Sequence, residues 1–204
     1  MDGNRETLQT LSDEQLLAAF IAGDRQAFAG LVERYERDLY HFLARFLGNS
    51  ASAEDVFQES FIQVFQSAKQ FEPGRSFRPW LFTIAANKAR DHLRTRARKR
   101  TMPLHATIDP NSPDGNEYLD LIGSVETSPT ANLEQEELQH RVQIAIQRLP
   151  EHLREVIVLA YFNQIPYKQI AEVLNVPLGT VKSRLHTAVE QFANIWKSAN
   201  PTPG

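Results

Sequence analysis

The sequence predicts an all-α fold of two small helical domains joined by a flexible linker, the C-terminal domain containing a helix-turn-helix. Three observations lead there. Apolar residues recur at i, i+3, i+4 spacing through most of residues 12–100 and again from residue 133 onward. No stretch of useful length alternates apolar and polar positions as a strand does. Between them, residues 101–132 hold Pro103, Pro110, Pro113 and Pro129 around an Asn-Ser-Pro-Asp-Gly run, the composition of an extended connection. The expected boundaries are therefore 1–100, 101–132 and 133–204, with no internal repeat.

Four helices are expected in the first domain. Ser12 and Gln15 have capping-box spacing ahead of Leu16, Leu17 and Phe20, and Gly23 closes that helix. The second runs from about Gln26 to Leu47 and stops at Gly48, where glycine's tolerance of a left-handed backbone suits a helix end. The third, Ser52 to Gln70, takes Ser52 as its cap and ends at Pro73-Gly74, and the fourth runs from near Ser76 to about Arg100. In the second domain Pro150, Pro166 and Pro177 punctuate four pieces: Leu133–Leu149, Glu151–Asn163, Tyr167–Leu174 and Leu178–Lys197. A short helical turn is expected around Tyr118–Ile122.

The net charge of -3 argues against bulk attraction to nucleic acid, but the charge is unevenly placed. Residues 75–100 carry nine basic side chains against Asp91 alone, and residues 101–133 carry five acids and no lysine or arginine. That is a functional asymmetry, or a solvated helix face beside a linker.

Three segments bear candidate chemistry. Tyr167–Val189 fits a helix-turn-helix, with small Ala171 where two helices cross and Asn175 at a turn position needing positive φ. Val181, Leu185, Ala188 and Phe192 share one arc. Thr180, Ser183, Arg184 and Thr187 share another, flanked by Lys182 and His186, which leaves a polar edge for a major groove. In the third helix Ala53, Val56, Phe57, Phe61, Val64, Phe65 and Ala68 form the apolar arc. Asp55, Gln58, Glu59 and Ile62 lie opposite, a pattern suited to a partner with basic and apolar groups, or to an ordinary solvated face with one stray isoleucine. The fourth helix is expected to bury Phe77, Trp80, Leu81 and Ile84 while Thr83, Asn87, Arg90 and Arg94 form a stripe that can follow a phosphate backbone. The preceding loop, Phe71 to Arg78, adds an aromatic ring and Arg75, groups that suit a single strand with exposed bases; a merely solvated basic helix end carries the same residues.

Taken in this order, the segments resemble the extracytoplasmic-function (ECF) group of bacterial sigma factors. AEDVFQESFIQVF resembles the segment that grips the β′ clamp of core RNA polymerase, which implies docking through Asp55, Gln58, Glu59 and Ile62. SFRPWLFTIAANKARDHLR resembles the segment that opens and reads the downstream promoter element, which implies roles for Phe71, Arg75, Arg78, Trp80, Thr83, Asn87, Lys88, Arg90 and Arg94. LPEHLREVIVLAYFNQIPYKQIAEVLNVPLGTVKSRLH resembles the domain that reads the upstream element as duplex and touches the β flap. There the resemblance implies Thr180, Lys182, Ser183, Arg184, His186 and Thr187, although Thr187 stands where many members have a basic residue. It further implies promoter DNA and an anti-sigma protein as partners, with the linker threading toward the RNA exit path. The linker and the lack of any evident locking feature predict domains that sample many relative orientations.

Other classes find little support. A conventional helix-turn-helix regulator binding operator DNA on its own would need a ligand-pocket motif or phospho-acceptor cluster, and none is evident. Walker A, G-x-G-x-x-G and H-E-x-x-H patterns are missing, and the six histidines are scattered, so neither an enzyme, a cofactor nor a metal site is expected. With no cysteine, no secretory signal and no apolar run near the ~20 residues of a membrane span, the expected place of action is the cytoplasm, without membrane insertion.

Overall fold

The structure is a computed structural model and describes residues 10–101 and 129–199. The expected turn at Tyr118–Ile122 lies outside the described residues, as does most of the linker. The N-terminal domain holds α1 (Asp13–Ile21), α2 (Arg25–Leu47), α3 (Ser50–Ser67) with a 3-10 turn at Ala68–Gln70, and α4 (Phe77–Thr101). The C-terminal domain holds α5 (Pro129–Gln147), α6 (Glu151–Ile157) continued by a π turn at Val158–Phe162, α7 (Tyr167–Leu174) and α8 (Leu178–Ala199). Among the described residues there is no strand.

The helix ends follow the sequence chemistry. Ser12 and Gln15 form the reciprocal capping box of α1, with Ser12 N donating to Gln15 Oε1 at 2.8 Å. Gly48 closes α2 at φ 70°, and its N–H donates to the Ala44 carbonyl. The cap of α3 differs from expectation: Asn49, not Ser52, accepts the Ser52 N–H, at 2.7 Å. Asparagine caps as well as serine does, and using it gives the helix an earlier start. α5 likewise begins at Pro129 rather than residue 133, consistent with proline's fixed φ at a first helical position. The first N–H of α4 is capped from afar, Phe77 N donating to Glu14 Oε1 at 2.9 Å, which ties α1 to the start of α4.

Phe42, Phe46, Phe77 and Phe82 are the largest fully buried side chains of the first domain, with Phe42 and Phe82 ring centroids 5.6 Å apart. Ile146, Leu149, Val156, Leu159, Ile170, Val181 and Ala188 are buried in the second. Two expectations about buried faces are corrected. Phe65, placed on the apolar arc of α3, is 55% exposed: it lies at the edge of that arc, with its ring against those of Phe20 and Phe28. Trp80 and Ile84 are half-buried, while Phe82, Ala85, Ala86 and Ala89 complete the buried face of α4, where small alanines let the neighbouring helices approach.

The two domains are in contact: α4 packs against α7, the end of α2 against the π turn and α5, and the buried apolar residues of both domains form one cluster. Polar contacts cross the same boundary. Asn163 Nδ2 donates to the Asp38 carbonyl at 2.8 Å, and Arg78 Nη2 donates to the Asn163 carbonyl at 3.0 Å.

Candidate functional site

Asp55, Gln58, Glu59 and Ile62 are all exposed on α3, whose opposite face is buried through Ala53, Val56, Phe61 and Val64. Ile62 is 56% exposed, and Phe65 continues the row one turn further on. Apolar groups held in water beside two carboxylates form a surface that an apolar and basic partner covers with profit. Lys88, grouped by sequence with the downstream-element residues, instead reaches Glu59 at 3.7 Å and borders this row.

The loop and first turns of α4 bring several expected residues together. Phe71 and Trp80 meet edge to face with centroids 5.0 Å apart, leaving the indole half-buried at the rim of a cavity of about 880 Å³. Arg75, Trp80, Thr83, Asn87 and Arg90 line one side, so the expected stripe is real as far as Arg90. Arg94 lies beyond the cavity, exposed and paired with Asp91 at 3.3 Å. Arg78 faces elsewhere, toward Asp38 at 3.4 Å and the Asn163 carbonyl. The helix fixes the stripe internally: Arg90 Nη2 donates to Asn87 Oδ1 at 2.6 Å and Arg90 Nε to the Ala86 carbonyl at 3.2 Å. An amide held by a guanidinium is a rigid reader of a base edge, flanked by a ring on which a base can stack.

In the helix-turn-helix, Asn175 has φ 51° and ψ 50°, the left-handed turn its position required. Val181, Leu185 and Ala188 are buried; Lys182, Ser183 and His186 are exposed; Thr180, Arg184 and Thr187 are half-buried. His186 lies 3.4 Å from Glu190, and Ser183 Oγ donates to the Thr180 carbonyl at 3.1 Å.

Sequence reasoning missed the other wall of the cavity, formed by Glu172, Val173, Leu174 and Asn175 at the end of α7. It also missed Glu155, 3% exposed and 3.6 Å from Arg90 of the other domain. Burial pushes its carboxyl up to about 7, against the pull of Arg90 and Arg184 and helped by Glu151. The signal was a lone acid inside the apolar run Val156–Leu159 and Leu153. Among the described residues no cluster of histidine and carboxylate side chains could hold a metal ion, and no helix is long and apolar enough to cross a membrane.

An exposed acidic and apolar helix face, a basic helix with stacking rings, and a helix-turn-helix define a class: a two-domain chain that reads DNA in company with a larger protein. Comparison with known proteins gives the family. Residues 31–99 match Sigma-70 region 2 and residues 139–192 match Sigma-70, region 4. The chain is 34% identical over 168 residues to the ECF RNA polymerase sigma factor SigW of Bacillus subtilis, covering 82% of this chain and 88% of that protein. It is 31% identical over 186 residues to the ECF RNA polymerase sigma-E factor of Escherichia coli K12, covering 91% and 95%. The solved structure of CnrH in complex with the cytosolic domain of CnrY is similar at TM-score 0.66 and 25% identity, over 92% of this chain and 99% of that one. The fold is shared with RpoE in complex with the anti-sigma factor NepR from Bartonella quintana, at TM-score 0.63 and 22% identity over 83% and 96%.

The chain therefore belongs to the ECF group of the sigma-70 family. It is an alternative sigma factor, which binds core RNA polymerase and directs promoter-specific initiation of transcription. Sigma factors are generally not enzymes.

Proposed function

We propose that residues 1–100 dock core polymerase and read the downstream promoter element, that 101–132 connect, and that 133–204 read the upstream element. The exposed row Asp55, Gln58, Glu59 and Ile62 carries this reading: it is an apolar and acidic stripe on a helix whose other face is committed to the core. It docks the β′ clamp, with Phe65 extending the contact, while the C-terminal domain touches the β flap. Thr83, Asn87 and Arg90, with Phe71, Arg75 and Trp80, capture the melted strand; Arg78, Lys88 and Arg94 add positive charge around it. Thr180, Lys182, Ser183, Arg184, His186 and Thr187 face the upstream duplex. A sigma factor's acidic total charge is no obstacle, because polymerase presents both domains to DNA at once and each needs only modest affinity. The chemistry of RNA synthesis belongs to the polymerase, and the chain needs no cofactor or metal of its own. It works in the cytoplasm, as its relatives do with RNA polymerase.

We further propose an anti-sigma partner, since two structurally similar proteins were solved bound to partner proteins, one of them an anti-sigma factor. In transcription with purified core polymerase, the chain should direct initiation at its promoters, and Asn87→Ala should slow open-complex formation without changing holoenzyme assembly. Loss of assembly together with opening would refute the division of labour. A pull-down from uninduced cells should recover a small partner in near-equal amount; a free, competent chain would remove the anti-sigma reading.

A further inference from the structure

We propose that Glu155 is a positioning residue for upstream-element reading, its carboxylate setting the direction of the Arg184 guanidinium from behind the helix-turn-helix. This rests on the assignment of Arg184 to the upstream element.

Glu155 stands in α6 among Leu153, Val156 and Ile157, all buried, and is itself 3% exposed. A carboxylate is costly to hold in such surroundings, and an apolar side chain of similar volume would suit the core at least as well. Packing alone therefore gives no reason for an acid here. Nor does the nearest cation supply one. Arg90 Nε comes within 3.6 Å of Glu155 Oε1, but it donates to the Ala86 carbonyl at 3.2 Å, while Arg90 Nη2 donates to Asn87 Oδ1 at 2.6 Å. With those donors spent on its own helix, Arg90 attracts the carboxylate without bonding it, and Glu155 Oε1 is buried with no hydrogen-bond partner. A buried acceptor left in that state retains its full demand for a donor.

The cation on the DNA-reading side is Arg184. α6 packs against α8, where Val181, Leu185 and Ala188 are buried and Arg184, beside Leu185, is half-buried. Three charges act on Glu155: Arg90 most strongly, then Glu151 with the opposite sign, then Arg184, which like Arg90 favours the ionised form. Arg184 thus has its stem in the domain and a buried negative charge within electrostatic reach. A long guanidinium side chain on an otherwise polar edge has many rotamers, and an anchoring charge beneath it selects among them. A planar fork held from behind is what bidentate reading of a base edge requires.

Holoenzymes assembled from core polymerase and the full chain test this on promoter duplexes carrying single substitutions through the upstream element. Arg184→Ala should lose preference at one base pair. Glu155→Gln, of the same shape without the charge, should lose at least about fivefold of the preference at that same pair. Core affinity should be unchanged and the melting temperature at pH 8 should not fall, a split that a residue needed only for the fold cannot give. Glu155→Leu should lose the same preference and stands in if the amide is poorly accommodated. The double variant Glu155→Gln, Arg184→Ala should read no worse than Arg184→Ala alone, since both act through one contact. Preference retained in both Glu155 variants overturns the positioning role and leaves the assignment of Arg184 intact. A loss in Glu155→Gln that adds in full to that of Arg184→Ala also overturns it, because Glu155 then acts through another residue. Arg184→Ala without a base-specific effect removes Arg184 from base reading, and the positioning role with it.

Discussion

α3 and α4 pack side by side in one domain and meet opposite fates. The outer row of α3 lies open, with Ile62 and Phe65 in solvent, whereas the stripe of α4 lines a cavity whose far wall is the end of α7, with Arg90 beside the buried Glu155. Both were legible as surface stripes of similar length and spacing. The difference teaches that a surface pattern marks what a helix offers, while the tertiary arrangement decides when it is offered.

Changes on the covered side should alter the fold, and the largest effect is expected at Glu155. Its carboxyl titrates about 4.5 in an ordinary setting and about 7 in the folded chain, so the folded state binds the proton more tightly. The resulting stability is fully present below pH 4.5 and is lost as pH rises through 7, a difference of up to about 3 kcal/mol for a fully buried group. Arg90, Glu151 and Arg184 are the charges that tune it. Glu155→Gln should flatten this part of the profile and raise the melting temperature at pH 8. An unchanged slope between pH 5 and 8 would show that the carboxylate is not buried in solution.

Arg184→Ala comes next. It should weaken binding of the holoenzyme to the upstream element by about 1–3 kcal/mol if the guanidinium reads a base, and less if it touches only phosphate. Footprinting across upstream-element variants separates the two. Gly48→Ala should cost about 1–2 kcal/mol, because the residue must hold positive φ and its new methyl meets Gln147. The smallest effect on stability belongs to the open side: Phe65→Ala should change it by under about 1 kcal/mol, as its ring is half in water, yet polymerase affinity should fall. A large loss of stability would return Phe65 to the core.

The elements were legible because their signals are local. Ser12 with Gln15, Gly48, Pro150, Pro166, Pro177 and Asn175 each act on the backbone within a few residues, and the structure uses them as expected. Periodicity separated the two arcs of α3 except at Phe65, which lies on their border, where the neighbouring helices decide burial. The domain contact was not legible, because its donors meet backbone carbonyls, and a carbonyl carries no sequence signature. Gln139, Gln143 and Gln147 at four-residue spacing were the available hint, a polar ladder that reads equally well as a solvated face. The cavity wall at Glu172–Asn175 was hidden for the same reason: it belongs to a helix-turn-helix whose own residues explain it fully. The residue assignments for DNA and polymerase came from the order of motifs, which carries no side-chain direction: Arg78 and Lys88 share the segment of the stripe and pair with Asp38 and Glu59.

Docking of the α3 row on core RNA polymerase is tested most directly by the equilibrium affinity of the full chain for purified core enzyme, measured beside the Asp55→Lys, Ile62→Ala double variant. Both positions are exposed, so the variant should melt within about 2 °C of the parent. Its affinity should fall by at least roughly tenfold, about 1.4 kcal/mol, through a reversed charge and a lost apolar contact. Equal affinity at equal stability would contradict the docking assignment.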